Sequence, residues 1–319
     1  MTGHQSSGTP DTATLIGFAG IVLIGGLNFV AVSKSNEQLQ PFWGAGLRFG
    51  MAAVVLYVVC RVARLPIARG RDLVYVGVYG LLSFAGYGFA YAALMPPTGL
   101  RAATAAIVVA SVPLFTLLLA VVSRLERFRW RALFGALVAV GGIAVSGADA
   151  AHGTRLVDLL LISGFVACAA AGTVVAKQFP MGHPLPTNAV AMAIGAVPLL
   201  ALSRVFGESW GLPTAVGSQV AVVYLAVIGS GGLFGLYLFV VRRWVATATA
   251  FAIVLMPIVA APAGALILGQ PVGPLFYVGA VVVAVGVYVG ALAPARGAGR
   301  PELAGSATPA ASPAAATDG

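Results

Sequence analysis

Residues 110–142 read ASVPLFTLLLAVVSRLERFRWRALFGALVAVGG, and residues 254–286 read VLMPIVAAPAGALILGQPVGPLFYVGAVVVAVG. At an offset of 144 residues Pro113 falls on Pro257, Gly135 on Gly279, Gly142 on Gly286 and Glu126 on Gln270, without a gap. The chain thus carries an internal repeat. Each copy ends in an apolar run, a short polar break and a second, glycine-bearing apolar run.

The pattern extends outward from this pair. Apolar stretches of membrane length are predicted at 15–33, 42–60, 73–93, 102–123, 131–148, 156–176, 187–205, 217–240, 245–268 and 274–293. About 20 apolar residues in a helix cross roughly 30 Å of hydrocarbon. A β-barrel needs shorter segments of alternating polarity, and these runs are apolar all round. The composition agrees. Mean hydropathy is +0.98, and charged residues make up 8% of 319 positions, where a soluble domain has about 25%. The expected fold is all-α: a polytopic membrane protein of ten transmembrane helices.

Ten spans put both termini on one side. Arg61, Arg64, Arg69, Arg71, Arg124, Arg127, Arg129, Arg131, Lys177, Arg242, Arg243, Arg296 and Arg300 fall there, against Lys34, Arg101, Arg155 and Arg204 opposite. The positive-inside rule then expects both termini in the cytoplasm. The formal charge of +9 serves an anionic membrane face rather than nucleic acid, so no nucleic-acid partner is expected. Cys60 and Cys168 lie in or at the end of apolar runs, with no CxxC or Cys/His cluster. Neither a disulfide framework, a metal site nor a cofactor is expected. Residues 1–14 lack a basic n-region and a cleavage site, so the first run is read as a retained span. Residues 294–319, rich in Ala and Pro, read as a disordered cytoplasmic tail.

The two halves, 15–148 and 156–293, hold five spans each. An odd number turns the second half upside down, giving two inverted five-helix repeats. This is a recurrent architecture of secondary transporters, because two such halves can exchange conformations and open a central cavity to either face in turn.

The residues also resemble a known family. GLNFVAVSKS (26–35) followed by PFWGAGLRFGMAAVVLYV (41–58) is similar to the opening of the EamA-like permeases of the drug/metabolite transporter superfamily, with an Asn in the first helix and then a Pro and an Arg-Phe pair. The repeated segments quoted above are similar to the ends of that family's two repeats. The resemblance implies a ten-helix permease over residues 15–292. The chain departs from the family's Leu-Gly-Glu after helix four: SRLERF keeps Glu126 without the Gly, and LILGQP keeps the Gly but has Gln270 for the acid. A matched pair of carboxylates is therefore not expected.

Several residues are candidates for handling a solute. Arg48 lies six residues into a span, where a charge is costly unless it snorkels or is paired. It contacts an anionic group of the substrate, ties helices together or snorkels to the interface. Asn28 in the first span bonds substrate or a neighbouring helix. Ser83, Tyr87 and Tyr91 are spaced four apart and share one helix face, which suits a cavity for amphipathic cargo. Thr173 and Tyr237 are the central polar residues of the second repeat. Pro113 and Pro257 are expected to kink spans four and nine equivalently. Glu126 and Gln270, at span ends, are candidates for coupling or gating. Trp43, Trp130, Trp210 and Trp244 lie near span ends and read as an aromatic belt. Gly231 and Gly235 read as close helix packing.

The expected function is a permease for a small organic metabolite, amino-acid-like or amphipathic, working by alternating access, with export an open direction. The alternatives are a non-transporting structural or regulatory membrane protein and a membrane-embedded enzyme. No acid lies deep in a span, so proton or counter-ion coupling and facilitated diffusion both stay open. The partners expected are the solute and the lipid bilayer, with the chain a monomer or homodimer. The Lys-poor, Ala/Gly/Val/Arg-rich usage resembles that of a high-GC bacterium and points to its plasma membrane.

Overall fold

The computed structural model describes residues 10–67, 69–94, 102–146, 155–179, 181–269 and 273–292. Residues 1–9 of the expected N-terminal tail, the expected C-terminal tail and Gln270 lie outside these residues; Thr12, Ala13 and Thr14, expected in the tail, begin α1. The helices in chain order are α1 (Thr12–Ser35), α2 (Pro41–Val62), α3 (Arg71–Ala93), α4a (Ala102–Val109), α4b (Val112–Val122), α5 (Trp130–Ser146), α6 (Leu156–Gln178), α7 (Pro184–Val205), α8 (Val216–Arg243), α9 (Ala246–Leu268) and α10 (Pro274–Leu292). Eight of them are long and apolar enough to cross a bilayer, and α4a/α4b and α5 occupy the fourth and fifth spans. The protein is an all-α polytopic membrane protein with the ten-helix inverted-repeat fold.

Local chemistry sets the helix ends. Prolines open α2, α7 and α10, where the fixed φ suits a first turn and the missing N–H costs nothing. Asp11 caps α1 by accepting from Thr14 N at 3.0 Å, and hydrogen bonding from the Thr14 side chain, then from its backbone, holds the Asp11 carboxyl below the ordinary value. Gly269 closes α9 at φ 66°. In the first repeat the matching position is Leu125. There the left-handed conformation falls on Arg124 (φ 57°), and Leu125 N closes onto Ala120 O at 2.8 Å.

The surface and the core are both apolar, as lipid requires. Leu266 is 87% exposed and Val62 and Val205 are each 79% exposed, a pattern that water would not tolerate over a whole molecule. Inside, Phe49, Phe84 and Phe234 stack edge to face, with centroids 5.1 Å apart for Phe49–Phe84 and 4.7 Å for Phe84–Phe234. Small residues let helices approach. Gly25 and Gly26 of α1 lie against Met256 and Val259 of α9, and Gly80 of α3 lies against Ala191 of α7. Gly231 and Gly235 make ordinary contacts only, at 3.4 and 3.7 Å from where a Cβ would stand. The tight glycine of that run is Gly229, which meets Asn28.

The repeat relation is written into the packing. Gly135 of α5 lies against Gly286 of α10, and Gly142 lies against Gly279. At the 144-residue offset Gly135 matches Gly279 and Gly142 matches Gly286, so exchanging the halves maps one contact onto the other. The pairing runs antiparallel, which places the pseudo-two-fold axis across the helices, in the plane of the membrane. A second exchange recurs deeper in the bundle. Asn28 meets the π-helical turn Val227–Gly232 of α8, and its equivalent Gly172 meets Ser83 in the π-helical turn Leu81–Ala85 of α3.

The two prolines are accommodated differently. Pro257 stays inside the continuous helix α9, together with Pro262. The fourth span breaks at Ala110–Ser111, and Pro113 sits in the first turn of α4b rather than in a helix interior. Ser111 Oγ bonds Val108 O at 2.6 Å and Leu114 N bonds Ser111 O at 2.9 Å. Equivalent kinks were expected from the sequence. The serine next to the break offers the backbone an alternative turn, and α9 has no serine there.

Candidate functional site

Arg48 projects from α2 into the bundle and is 5% exposed. It does not snorkel. Its Nε donates to Ser230 Oγ at 2.8 Å, and its guanidinium carbon lies 4.7 Å from the Phe49 ring centre and 5.8 Å from that of Tyr87. Ser230 belongs to the π-helical turn of α8, so the bond joins the two repeats. Such turns perturb the regular ladder and recur at functional sites. Among the described residues no carboxylate pairs with Arg48: the ion pairs found are Lys34–Glu37, Arg155–Asp158 and Arg243–Asp11.

The tyrosine stripe of α3 faces this charge. Tyr87 lies 5.5 Å from Phe49, 6.5 Å from Tyr91 and 5.1 Å from Phe165, ring centre to ring centre. Tyr91 packs on Phe42 at 6.5 Å. One turn below Ser83 the stripe continues to Tyr79, which is fully buried and bonds Asn188 Oδ1 at 3.4 Å. Thr173 and Tyr237 meet at 2.6 Å. The Thr173 hydroxyl also donates to Ala169 O at 2.8 Å, so with one hydrogen to give it accepts from Tyr237. Tyr237 lies within electrostatic reach of both Tyr79 and Tyr87.

Asn28 is a tie between helices. Its Nδ2 donates to Gly229 O at 2.7 Å, and its buried Oδ1 has no hydrogen-bond partner among the described residues. Glu126 reaches across the repeats, where Oε1 accepts from Thr247 N at 3.0 Å and caps α9. That bond is a cap on a helix N-terminus, and the carboxylate also attracts Lys177.

Polar ties close both ends of the bundle. At the end bearing the chain termini, Lys177 Nζ donates to Arg242 O at 3.1 Å and Trp244 O at 2.9 Å. At the opposite end Glu208, which is 8% exposed, accepts from Phe42 N at 3.0 Å and Trp43 N at 2.6 Å. Trp43 and Trp210 stack there at 4.6 Å, and Gln38 Oε1 accepts from Thr214 N at 2.9 Å. Trp244 departs from the expected aromatic belt: it is 4% exposed and packs on Phe18 at 5.5 Å, because the short turn into α9 folds it inward. Trp130 is 64% exposed, as an interfacial residue would be.

Sequence reasoning missed four of these residues. Tyr79 was legible, being four before Ser83 on the same face. Ser230 is the one polar residue in a glycine run. Asn188 and Glu208 carry no local signal, since their partners are more than a hundred residues away. No group of three metal-ligating side chains occurs among the described residues.

The model of the EamA-like transporter family matches residues 12–148 and again residues 156–291. A "Probable amino-acid metabolite efflux pump" of Escherichia coli (strain K12) is 26% identical over 291 residues, covering 84% of this chain and 91% of that protein. An "Uncharacterized inner membrane transporter YedA" of the same strain is 28% identical over 229 residues, covering 70% of this chain and 72% of that protein. A protein of known crystal structure superposes with a TM-score of 0.73 at 21% identity, covering 88% of this chain and 99% of that one, and so shares the fold.

Proposed function

The chain belongs to the EamA-like transporter family, whose members carry small molecules across membranes, and on that premise we propose that its cargo is a small organic acid with an apolar or aromatic body, amino-acid-like in its chemistry. One observation carries the reading: Arg48 is buried, is held by Ser230 between aromatic rings, and has no carboxylate partner among the described residues. A guanidinium so placed keeps an unmet attraction for an anion, and its planar fork fits a carboxylate through two parallel hydrogen bonds. Tyr87, Tyr91 and Phe165 supply the surface for the rest of the solute. Its ammonium group, where present, would rely on hydroxyls and on carbonyls at the π-helical turns.

Arg48 and Ser230 stand on opposite repeats. A solute that engages the guanidinium acts on the contact between the halves, which is the requirement of alternating access. The two repeats exchange shapes about the pseudo-two-fold axis, and the ties at the two ends open in turn. The basic residues assign the end with the termini to the cytoplasm, in a bacterial plasma membrane. Export is the direction we assign, by likeness to the relative named as an efflux pump.

Counterflow in proteoliposomes tests this, with radiolabelled amino acids, nucleosides and amphipathic cations. Saturable counterflow of a carboxylated solute, abolished by Arg48→Ala in folded protein, is the expected result. Equal counterflow in the variant, or a preference for the cations, overturns the reading. A pH gradient that accelerates wild type but not Glu126→Gln would assign proton coupling to Glu126.

A further inference from the structure

A cavity of about 480 Å3 opens at the inner ends of α6 and α8, lined among others by Lys177, Phe179, Gly182 and Arg242. It is separate from the Arg48 site. Arg242 lies twelve residues beyond Ser230 on α8, roughly 18 Å along a helix. Phe179 forms one wall, stacked on Tyr75 at 4.3 Å.

Two cations converge here, and both are built in. The Lys177 ammonium gives two of its three hydrogens to Arg242 O and Trp244 O, at 3.1 and 2.9 Å, which fixes it and leaves one donor. Arg242 Nη1 donates to Gly182 O, while Nη2 is buried without a partner among the described residues. A further donor belongs to Asn188, whose Oδ1 accepts from the Tyr79 hydroxyl and whose Nδ2 is buried without a partner among the described residues. Among the described residues the nearby acid is Glu126, which is bonded to Thr247 N through Oε1, keeps Oε2 buried and unbonded, and attracts Lys177. Other arginines at this end, such as Arg61, Arg64 and Arg243, are exposed and serve the membrane face. The recess differs from them in that Arg242 Nη2 and Asn188 Nδ2 are buried donors without a hydrogen-bond partner among the described residues, an arrangement that costs free energy until an acceptor arrives.

We propose that this recess is an oxyanion-binding site at the cytoplasmic mouth, where a carboxylate or phosphate docks between Arg242 and Lys177. The cytoplasmic placement rests on the orientation given above; the binding chemistry does not rest on the Arg48 reading. The oxyanion belongs either to a solute entering from the cytoplasm or to the headgroup of an anionic phospholipid.

The test uses the purified full-length chain in nanodiscs of phosphatidylcholine, with inorganic phosphate as the probe and chloride at matched ionic strength as control. A ligand that binds only the folded state raises Tm in a saturable way. Phosphate is expected to raise Tm in wild type and in Arg48→Gln, and to have no effect on Arg242→Gln or Lys177→Gln. If Arg242→Gln does not fold, Arg242→Lys and Lys177→Gln carry the comparison. No saturable shift in wild type, or a shift lost only in Arg48→Gln, overturns the proposal. Nanodiscs containing phosphatidylglycerol separate the sources. A phosphate effect that persists there assigns the site to a soluble anion, and one that disappears, with wild type already stabilised over Arg242→Gln, assigns it to the lipid.

Discussion

Gly135 backs onto Gly286 so closely that a Cβ on Gly286 would stand 2.6 Å from the Gly135 carbonyl oxygen, and one on Gly135 would stand 2.5 Å from that of Gly286. Backbone meets backbone, so no side chain can give way. Because the same contact recurs with the halves exchanged, at Gly142 and Gly279, α5 and α10 form a seam fixed at two symmetric points. Gly286→Ala is expected to destabilise by about 1–3 kcal/mol, the usual cost of overpacking. Gly141→Ala, with nothing within 4 Å, is the control and should leave Tm unchanged. Equal melting of the two variants in detergent would remove the seam from the account.

Arg48→Lys keeps the charge but loses the planar fork. A lysine ammonium cannot hold Ser230 and still present two parallel donors to a carboxylate. Counterflow should persist with a KM raised about tenfold, equivalent to about 1.4 kcal/mol. An unchanged KM would indicate that Arg48 acts as a point charge or not at all.

Ser230→Ala removes the acceptor of a buried cation. Interhelical hydrogen bonds in membranes average about 0.6 kcal/mol, and bonds to charged groups in soluble proteins about 1.5–3 kcal/mol. A loss of about 1 kcal/mol is expected, with a raised KM, from steric-trap unfolding and counterflow on the same preparation. A stability loss with unaltered transport would confine Ser230 to holding α2 against α8.

Glu208→Gln leaves one acceptor oxygen where two backbone N–H groups now bond. Loss of a helix cap costs about 1 kcal/mol, and this cap also ties α7–α8 to α2. The variant should melt lower, and a cysteine pair reporting on that end should open more often. Tighter closure in the variant would contradict the assignment of Glu208 as a tie.

Thr173→Val and Tyr237→Phe each break the 2.6 Å contact. Since the two remove the same bond, the double variant should fall short of the sum by about 0.6 kcal/mol. Strict additivity would show that the bond contributes nothing.

Much of this was readable in advance because membrane helices follow from local composition. Ten apolar runs and the repeat through Gly135 and Gly279 need no partner to be recognised. The same holds for Arg48 and the stripe through Tyr87, since a charge or a hydroxyl row in hydrocarbon is conspicuous alone. The stripe runs one turn further than Ser83, to Tyr79, at the same spacing of four.

The rest depended on what stands opposite. Glu208 carries no local signal, and it is buried because α2 brings two N–H groups to it from 165 or more residues away. Trp244 looked interfacial, and the turn into α9 buries it on Phe18. Pro113 and Pro257 are equivalent in sequence, yet one sits beside a helix break and the other lies within a helix. The sequence by itself determined the membrane class, the number of spans and the inverted repeat, because apolar length and periodicity are properties of each segment. Only the tertiary structure decided which polar atoms find partners and which, like Arg242 Nη2 and Asn188 Nδ2, are left without one among the described residues. A hydrogen bond or ion pair belongs to two segments at once, and their meeting is set by the packing of the whole bundle.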